Sequence, residues 1–215
     1  MQSIVLPRES TVPHITIRAA RSDDIYTILS LHREAFSDKF GAAFGMRRSD
    51  LGVEAMAEAW RRQGALALRG MLVAVLDQQI VGTISMRTAD SVGDNDGSAE
   101  QAFYQVLGHW RALRSIMVLS ILDHHIDYAE AYITDVAVLD GFRRRGIAHS
   151  MLERVEQEAR HRGKHYLGLY VSASNHAARR LYELHGFYQQ RSRHSFLSAC
   201  VLRQPIWFYM RKNLR

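Results

Sequence analysis

A mixed α/β fold is the class this sequence predicts, on three observations. From Ala129 to Val171 the chain reads strand, helix, strand, which makes the two strands parallel neighbours joined by a right-handed crossover. Met71 to Arg87 ("MLVAVLDQQIVGTISMR") is two β-rich runs about Asp77-Gln78, an antiparallel hairpin. Between these, several segments carry apolar residues at helical spacing. With 215 residues, 47% of them hydrophobic, the chain can bury one sizeable core.

The elements follow in order. Residues 1–14 read as an N-terminal extension, and residues 15–215 as one domain. Ile15 to Ala20 alternates as a first strand, and Ile25, Ile28, Leu29 and His32 mark a helix behind a Ser22 cap. Ser37 to Gly45 reads as a glycine-bearing loop, and a second helix runs from Ser49 to Gly64. After the hairpin, residues 90–128 form an insertion. Asp90 to Ser98 is turn-forming, Ser98 and Gln101 have the spacing of a capping box, and one helix follows. Its apolar stripe is Ala102, Phe103, Val106, Leu107, Trp110, Leu113 and Met117. Ala129 to Asp140 is a strand. A helix then carries Ile147, Met151, Leu152, Val155 and Ala159 and ends at Gly163, and Lys164 to Val171 is the parallel partner strand. A further helix stops at Gly186, and Pro205 to Leu214 is the last strand.

Composition narrows the function classes. The single cysteine, Cys200, excludes an internal disulfide framework, and no run reaches the roughly 18 apolar residues of a membrane span. No basic leader precedes an apolar stretch at the N-terminus, so the expected setting is cytoplasmic. The net charge of +6 is unevenly spread: Asp90 to Glu130 holds seven acids against two arginines, leaving that segment at −5 and the remainder at +11. An anionic ligand suits the basic part and a cationic one the acidic part. No metal site is expected, since Gly163 interrupts the helix between His161 and His165, and no nucleic-acid motif accompanies the arginines.

The most informative stretch is "DGFRRRGIAHS", Asp140 to Ser150. The helix bearing Ile147 must start near Arg145, so the amides of Arg145, Gly146, Ile147 and Ala148 have no intrahelical acceptor. With the partial positive charge of a helix N-terminus they suit a phosphate or pyrophosphate, and Gly146 lets it approach the backbone. Neither common nucleotide loop, G-x-x-x-x-G-K-[ST] or G-x-G-x-x-G, is present.

Arg143-Arg144-Arg145-Gly146-Ile147-Ala148 resembles the [QR]-x-x-G-x-[GA] segment of the GCN5-related N-acetyltransferases. Downstream, Val171, Asn175, Ala178, Leu181, Tyr182, Gly186 and Phe187 are similar to that family's V-x-x-x-N-x-x-A-x-x-L-Y-x-x-x-G-F pattern. Ala148 in place of a second glycine and Asp140-Gly141 in place of a proline turn are departures. The resemblance, closest to the ribosomal-protein-alanine type, implies a mixed, mostly antiparallel sheet of about seven strands. Helices would cover both faces, and the fourth and fifth strands would splay. It implies acetyl-coenzyme A as cosubstrate, its pyrophosphate and pantetheine held by Val136, Ala137, Val138, Arg143, Arg144, Arg145, Gly146, Ile147, Ala148, His149, Asn175 and Ala178.

For the chemistry, the resemblance makes Glu130 the first choice of general base, direct or through water, with Asp135 the second choice. Tyr182 would protonate the departing thiolate. Asn175 has a competing reading as a helix cap, and His124-His125 as the mouth of the acceptor site or the end of the inserted helix. The implied reaction is direct attack by a primary amine in a ternary complex. The −5 segment favours a small cationic amine; a peptide N-terminus or lysine, and a non-catalytic acyl-coenzyme A sensor, are the alternatives. A homodimer is compatible with all of these.

Overall fold

A computed structural model of the chain describes residues 15–45, 49–91, 97–120 and 124–214. The extension 1–14 and the acids Asp94, Asp96 and Asp123 lie outside the described residues. Seven strands form one sheet: β1 (Thr16–Ala19), β2 (Met71–Leu76), β3 (Gln79–Arg87), β4 (Glu130–Val138), β5 (Tyr166–Ser172), β6 (Tyr188–His194) and β7 (Ile206–Asn213). Their spatial order is β1-β2-β3-β4-β5-β7-β6, and only β4 and β5 are parallel. The β2–β3 turn is tight because Asp77 and Gln78 both take positive φ, 47° and 66°.

Alternation along the strands feeds two cores. Val73 points to one face, with α1 (Ile25–Ala35), α2 (Ser37–Phe44), α3 (Ser49–Gln63), α4 (Ser98–Leu107), α5 (His109–Ser120) and α8 (Phe196–Leu202). Its neighbour Ala74 points to the other, with α6 (Ile147–His161) and α7 (His176–Leu184). Covered on both sides, β3 is buried at every position from Ile80 to Met86.

Several expectations from sequence are corrected. Ser37 to Gly45 is not a loop: α2 forms there because Phe40, Ala43 and Phe44 are buried together, with Phe44 stacked on Phe103 at 6.1 Å. Gly52 of α3 makes that possible, since a β-carbon there would strike the Phe44 ring. Ser22 caps nothing. A short 3₁₀ turn, Ser22–Asp24, precedes α1, and the Asp24 carboxylate accepts from Arg18 (2.6 and 2.9 Å) and from the Arg21 amide (2.7 Å). Gly97, in left-handed conformation, caps α4 in place of Ser98.

The inserted helix is two helices, because Gly108 at φ 76° breaks it. The break rotates α5 so that Ala112, Ser115 and Val118 face inward, while Trp110 is 87% exposed and Leu113 and Met117 are also exposed. β6 and α8 have no counterpart in the sequence reading.

The positions that matter most are in β4. It pairs with β5 only from Glu130 to Ile133, against Tyr166 to Leu169. Opposite β3, Thr83 faces Ala137 and Ser85 faces Thr134, so Asp135 and Val136 share a single partner, Ile84. This is a β-bulge, with Asp135 at φ 56°. It bends β4 away from β5, which continues to Ser172 paired with β7 on its other side.

Candidate active site

Beyond Ile133 and Leu169 the parted strands open a cleft in two connected halves, which share Phe36, Val136, Asn175, Ala178 and Tyr182. One half, about 490 Å³, runs along Val136, Ala137 and Val138 to the N-terminus of α6, where Arg143, Arg144, Gly146, Ile147, Ala148 and His149 line it. Gly146 caps that helix at φ 80° with open space about its α-carbon, so the backbone conformation is what requires glycine. The first amide to bond back into the helix is that of Ser150, to the Gly146 carbonyl at 3.0 Å. The amides from Arg144 to Ala148 have no protein acceptor among the described residues.

The three arginines do different things. Arg143 ties the turn together through the Val138 carbonyl (3.0 Å) and Asp140 (2.5 Å). Arg145 lies over the Phe142 ring at 5.2 Å and does not line the cleft. Arg144, at φ 62°, is exposed at its edge.

Asn175 caps α7, its side-chain oxygen accepting from the Ala178 amide at 3.1 Å. That leaves its NH₂ group without a protein acceptor among the described residues, on the wall where the two halves meet. Tyr182 stands at the same junction, with no hydrogen bond to its hydroxyl among the described residues. Burial pushes its pKa far above the ordinary phenol value, so it holds its proton across the neutral range.

The second half, about 460 Å³, extends from the bulge under α2, α5 and α8. Asp135 lines it, but Glu130 does not. Glu130 sits deeper, 1% exposed, on the paired stretch of β4. Its carboxylate accepts from the Tyr209 hydroxyl (2.7 Å) and the Asp127 amide (3.3 Å), and meets His124 Nε2 at 3.0 and 3.1 Å. Space for this cluster comes from Gly168, where a β-carbon would collide with both Glu130 and Tyr209. Burial, then the bond to Glu130, raises the Tyr209 pKa, keeping it a donor. His124 is therefore the group through which Glu130 reaches the cleft: its ring packs on Tyr132 at 4.5 Å and lines the cavity.

Sequence reasoning missed Tyr209, 79 residues from Glu130, and two cations of the same cavity, Lys39 on α2 and Arg87 at the end of β3. The acids of residues 90–130 that are described do not reach it. Asp90 pairs with Lys164 at 3.1 Å, Asp127 accepts from the Ala129 amide, Glu100 is exposed on α4 and Glu130 is enclosed. Among the described residues no group of three or more His, Cys, Asp or Glu is arranged for a metal ion. Nor is any helix long and apolar enough to cross a membrane.

Solved structures share the fold. An acetyltransferase with 21% identity superposes with a TM-score of 0.63, over 93% of this chain and 100% of that one. PaiA N-acetyltransferase from Thermoplasma acidophilum, solved in complex with coenzyme A, is 14% identical with a TM-score of 0.60, over 93% and 99%. The ribosomal-protein-S18-alanine N-acetyltransferase from Escherichia coli is 16% identical with a TM-score of 0.56, over 94% of each chain. No curated protein matches the chain significantly. The family model for the acetyltransferase (GNAT) family matches residues 26–187, a span that contains the bulged strand, the Gly146 turn and Tyr182. The chain belongs to that family, whose members use acetyl-coenzyme A.

Proposed function

We propose that this protein transfers the acetyl group of acetyl-coenzyme A to the primary amine of a small molecule, by direct attack in a ternary complex. The observation that carries the reading is the cleft opened by the Asp135–Val136 bulge, which begins at amides without acceptors and ends at a buried His–Glu pair. The donor supplies an activated thioester. The amides of Arg144 to Ala148 hold its pyrophosphate at the positive end of α6, with Arg143, Arg144 and His149 around it. Val136 to Val138 and the Asn175 NH₂ group pair with its amide-bearing arm. That PaiA, of the same fold, holds coenzyme A supports this reading.

At the acceptor end the task is deprotonation. With a pKa near 10, an amine at pH 7 is a free base in only about one molecule in a thousand, a handicap of roughly 4 kcal/mol. Glu130 keeps His124 oriented with Nε2–H toward the carboxylate, so Nδ1 is the basic nitrogen that accepts the proton. Asp135, at the bulge, orients the ammonium before it is deprotonated. A carbon–nitrogen bond forms as the carbon–sulfur bond breaks, and Tyr182 donates to the sulfur as charge develops there. The bed of α2 and α5 over the cavity favours a small acceptor over a peptide. The cationic acceptor expected from the −5 segment loses its support, since none of that segment's described acids lines the site.

The test is purified protein with acetyl-coenzyme A and a panel of primary amines, with release of free thiol as the readout. Acceptor-dependent release is expected. A thermal shift with acetyl-coenzyme A but no release above the rate of hydrolysis with any amine would instead identify an acyl-coenzyme A sensor.

A further inference from the structure

The acceptor half of the cleft has a charge pattern that the transfer of an acetyl group does not itself require. Two cations line it, Lys39 and Arg87, against one carboxylate, Asp135. Neither cation is within ion-pairing distance of a carboxylate among the described residues, although eight other lysine or arginine ion pairs form there. Lys39 is half-buried, its ammonium 5.1 Å from the Phe36 ring centroid and 5.6 Å from that of Trp207. Rings attract a cation but do not replace a counter-ion, and withdrawal from water accordingly lowers the Lys39 pKa. Asp135, on the same cavity, attracts the Lys39 ammonium from beyond ion-pairing distance, and a half-buried cation with no carboxylate in direct contact, facing a ligand cavity, is a site for a ligand anion.

The donor's phosphates do not answer to that description, since their seat is at the opposite end of the cleft, beside α6. We infer that the acceptor is a small amino-carboxylate, its carboxylate held by Lys39 and Arg87, its amine directed to Asp135 and His124, and its body lying on Phe36, Tyr170 and Trp207. This rests on the transferase reading and names its substrate class. A bare amine or polyamine would leave both cations without a direct ion pair and add a third positive charge to a cavity that holds one carboxylate, so the cavity discriminates by repulsion as well as attraction.

The experiment compares matched pairs that differ only in the carboxylate: phenylalanine with phenylethylamine, leucine with isopentylamine, and lysine with cadaverine, by thiol release from acetyl-coenzyme A. The amino acid of at least one pair is expected to exceed its amine at least tenfold in kcat/KM. That preference should fall to near unity in Lys39→Met and in Arg87→Met, with acetyl-coenzyme A affinity unchanged and folding verified by the melting temperature. Arg87 is exposed at a strand end, so its variant folds even if the Lys39 variant does not. Release with the amines equal to or above that with the amino acids overturns the inference while leaving the transferase reading intact. So does a loss of acetyl-coenzyme A affinity in both variants, which would assign the cations to the donor. No release with any member of the panel overturns it as well, and then acetyl-coenzyme A binding decides between a sensor and a failure of the donor site itself.

Discussion

Replacing Gly146 with valine is expected to weaken acetyl-coenzyme A binding by roughly five- to a hundredfold, with the melting temperature changing far less than the affinity. The reason is conformational. Gly146 holds φ at 80°, and a β-branched residue there is strained by about 1–3 kcal/mol. The strain can relax only by turning the peptide planes on either side, and those planes carry the amides that point into the cleft. Because a β-carbon at 146 would meet no atom within 4 Å, packing is not disturbed, and the loss should appear in binding. By contrast, Arg145→Ala removes a guanidinium that lies on Phe142 outside the cleft, and less than a threefold change is expected. Isothermal titration of the two variants with acetyl-coenzyme A checks the contrast.

The second large effect is at His124. Its replacement by alanine should lower kcat about 10²- to 10⁴-fold at pH 7, the usual contribution of a positioned general base. The pH profile separates this from simple misfolding. Without a base, the enzyme depends on amine that has already lost its proton, so kcat/KM in the variant should climb tenfold per pH unit toward the amine pKa near 10. In the native protein it should level off earlier. Glu130→Gln should show the same profile in weaker form, since the glutamine oxygen still accepts from Nε2–H but without its charge. A uniform loss at every pH, with the native shape preserved, would assign His124 to the packing of Tyr132 and Tyr209 alone.

The parts of the fold legible in the sequence were those in which local pattern and final environment agree. The βαβ unit, the Asp77-Gln78 hairpin and the start of α6 at Ile147 follow from periodicity and from glycine, because buried strands and an amphipathic helix need those residues wherever they occur. α2 was hidden because its glycine, Gly41, and small residues read as a loop, whereas the joint burial of Phe40, Ala43 and Phe44, with Phe44 on Phe103, holds it helical. β6 was hidden for the opposite reason: "YQQRSRH" is an edge strand exposed along nearly its whole length, so it has no alternation to detect.

The site divides in the same way. The proposed donor side is a contiguous motif, Arg143 to His149, plus a helix cap at Asn175, and contiguous features survive in a linear reading. Its acceptor side is assembled from α2, β3, β4, β7 and the segment after α5. Lys39, Arg87 and His124 lie far apart along the chain yet line one cavity, and Tyr209 reaches Glu130 because the sheet order brings β7 next to β5. The charge sum over Asp90 to Glu130 pointed to a cationic acceptor, but a sum has no direction, and the folded segment turns its described acids away from the cavity.

The most direct test of the donor seat is a series of amide proton–nitrogen spectra recorded as coenzyme A is titrated in. Saturable shifts are expected to be largest at the backbone amides of Gly146, Ile147 and Ala148, with a second group at Val136 to Val138. Unmoved resonances at those positions, with saturable shifts confined to arginine side chains, would contradict the assignment of the main chain as the anion seat.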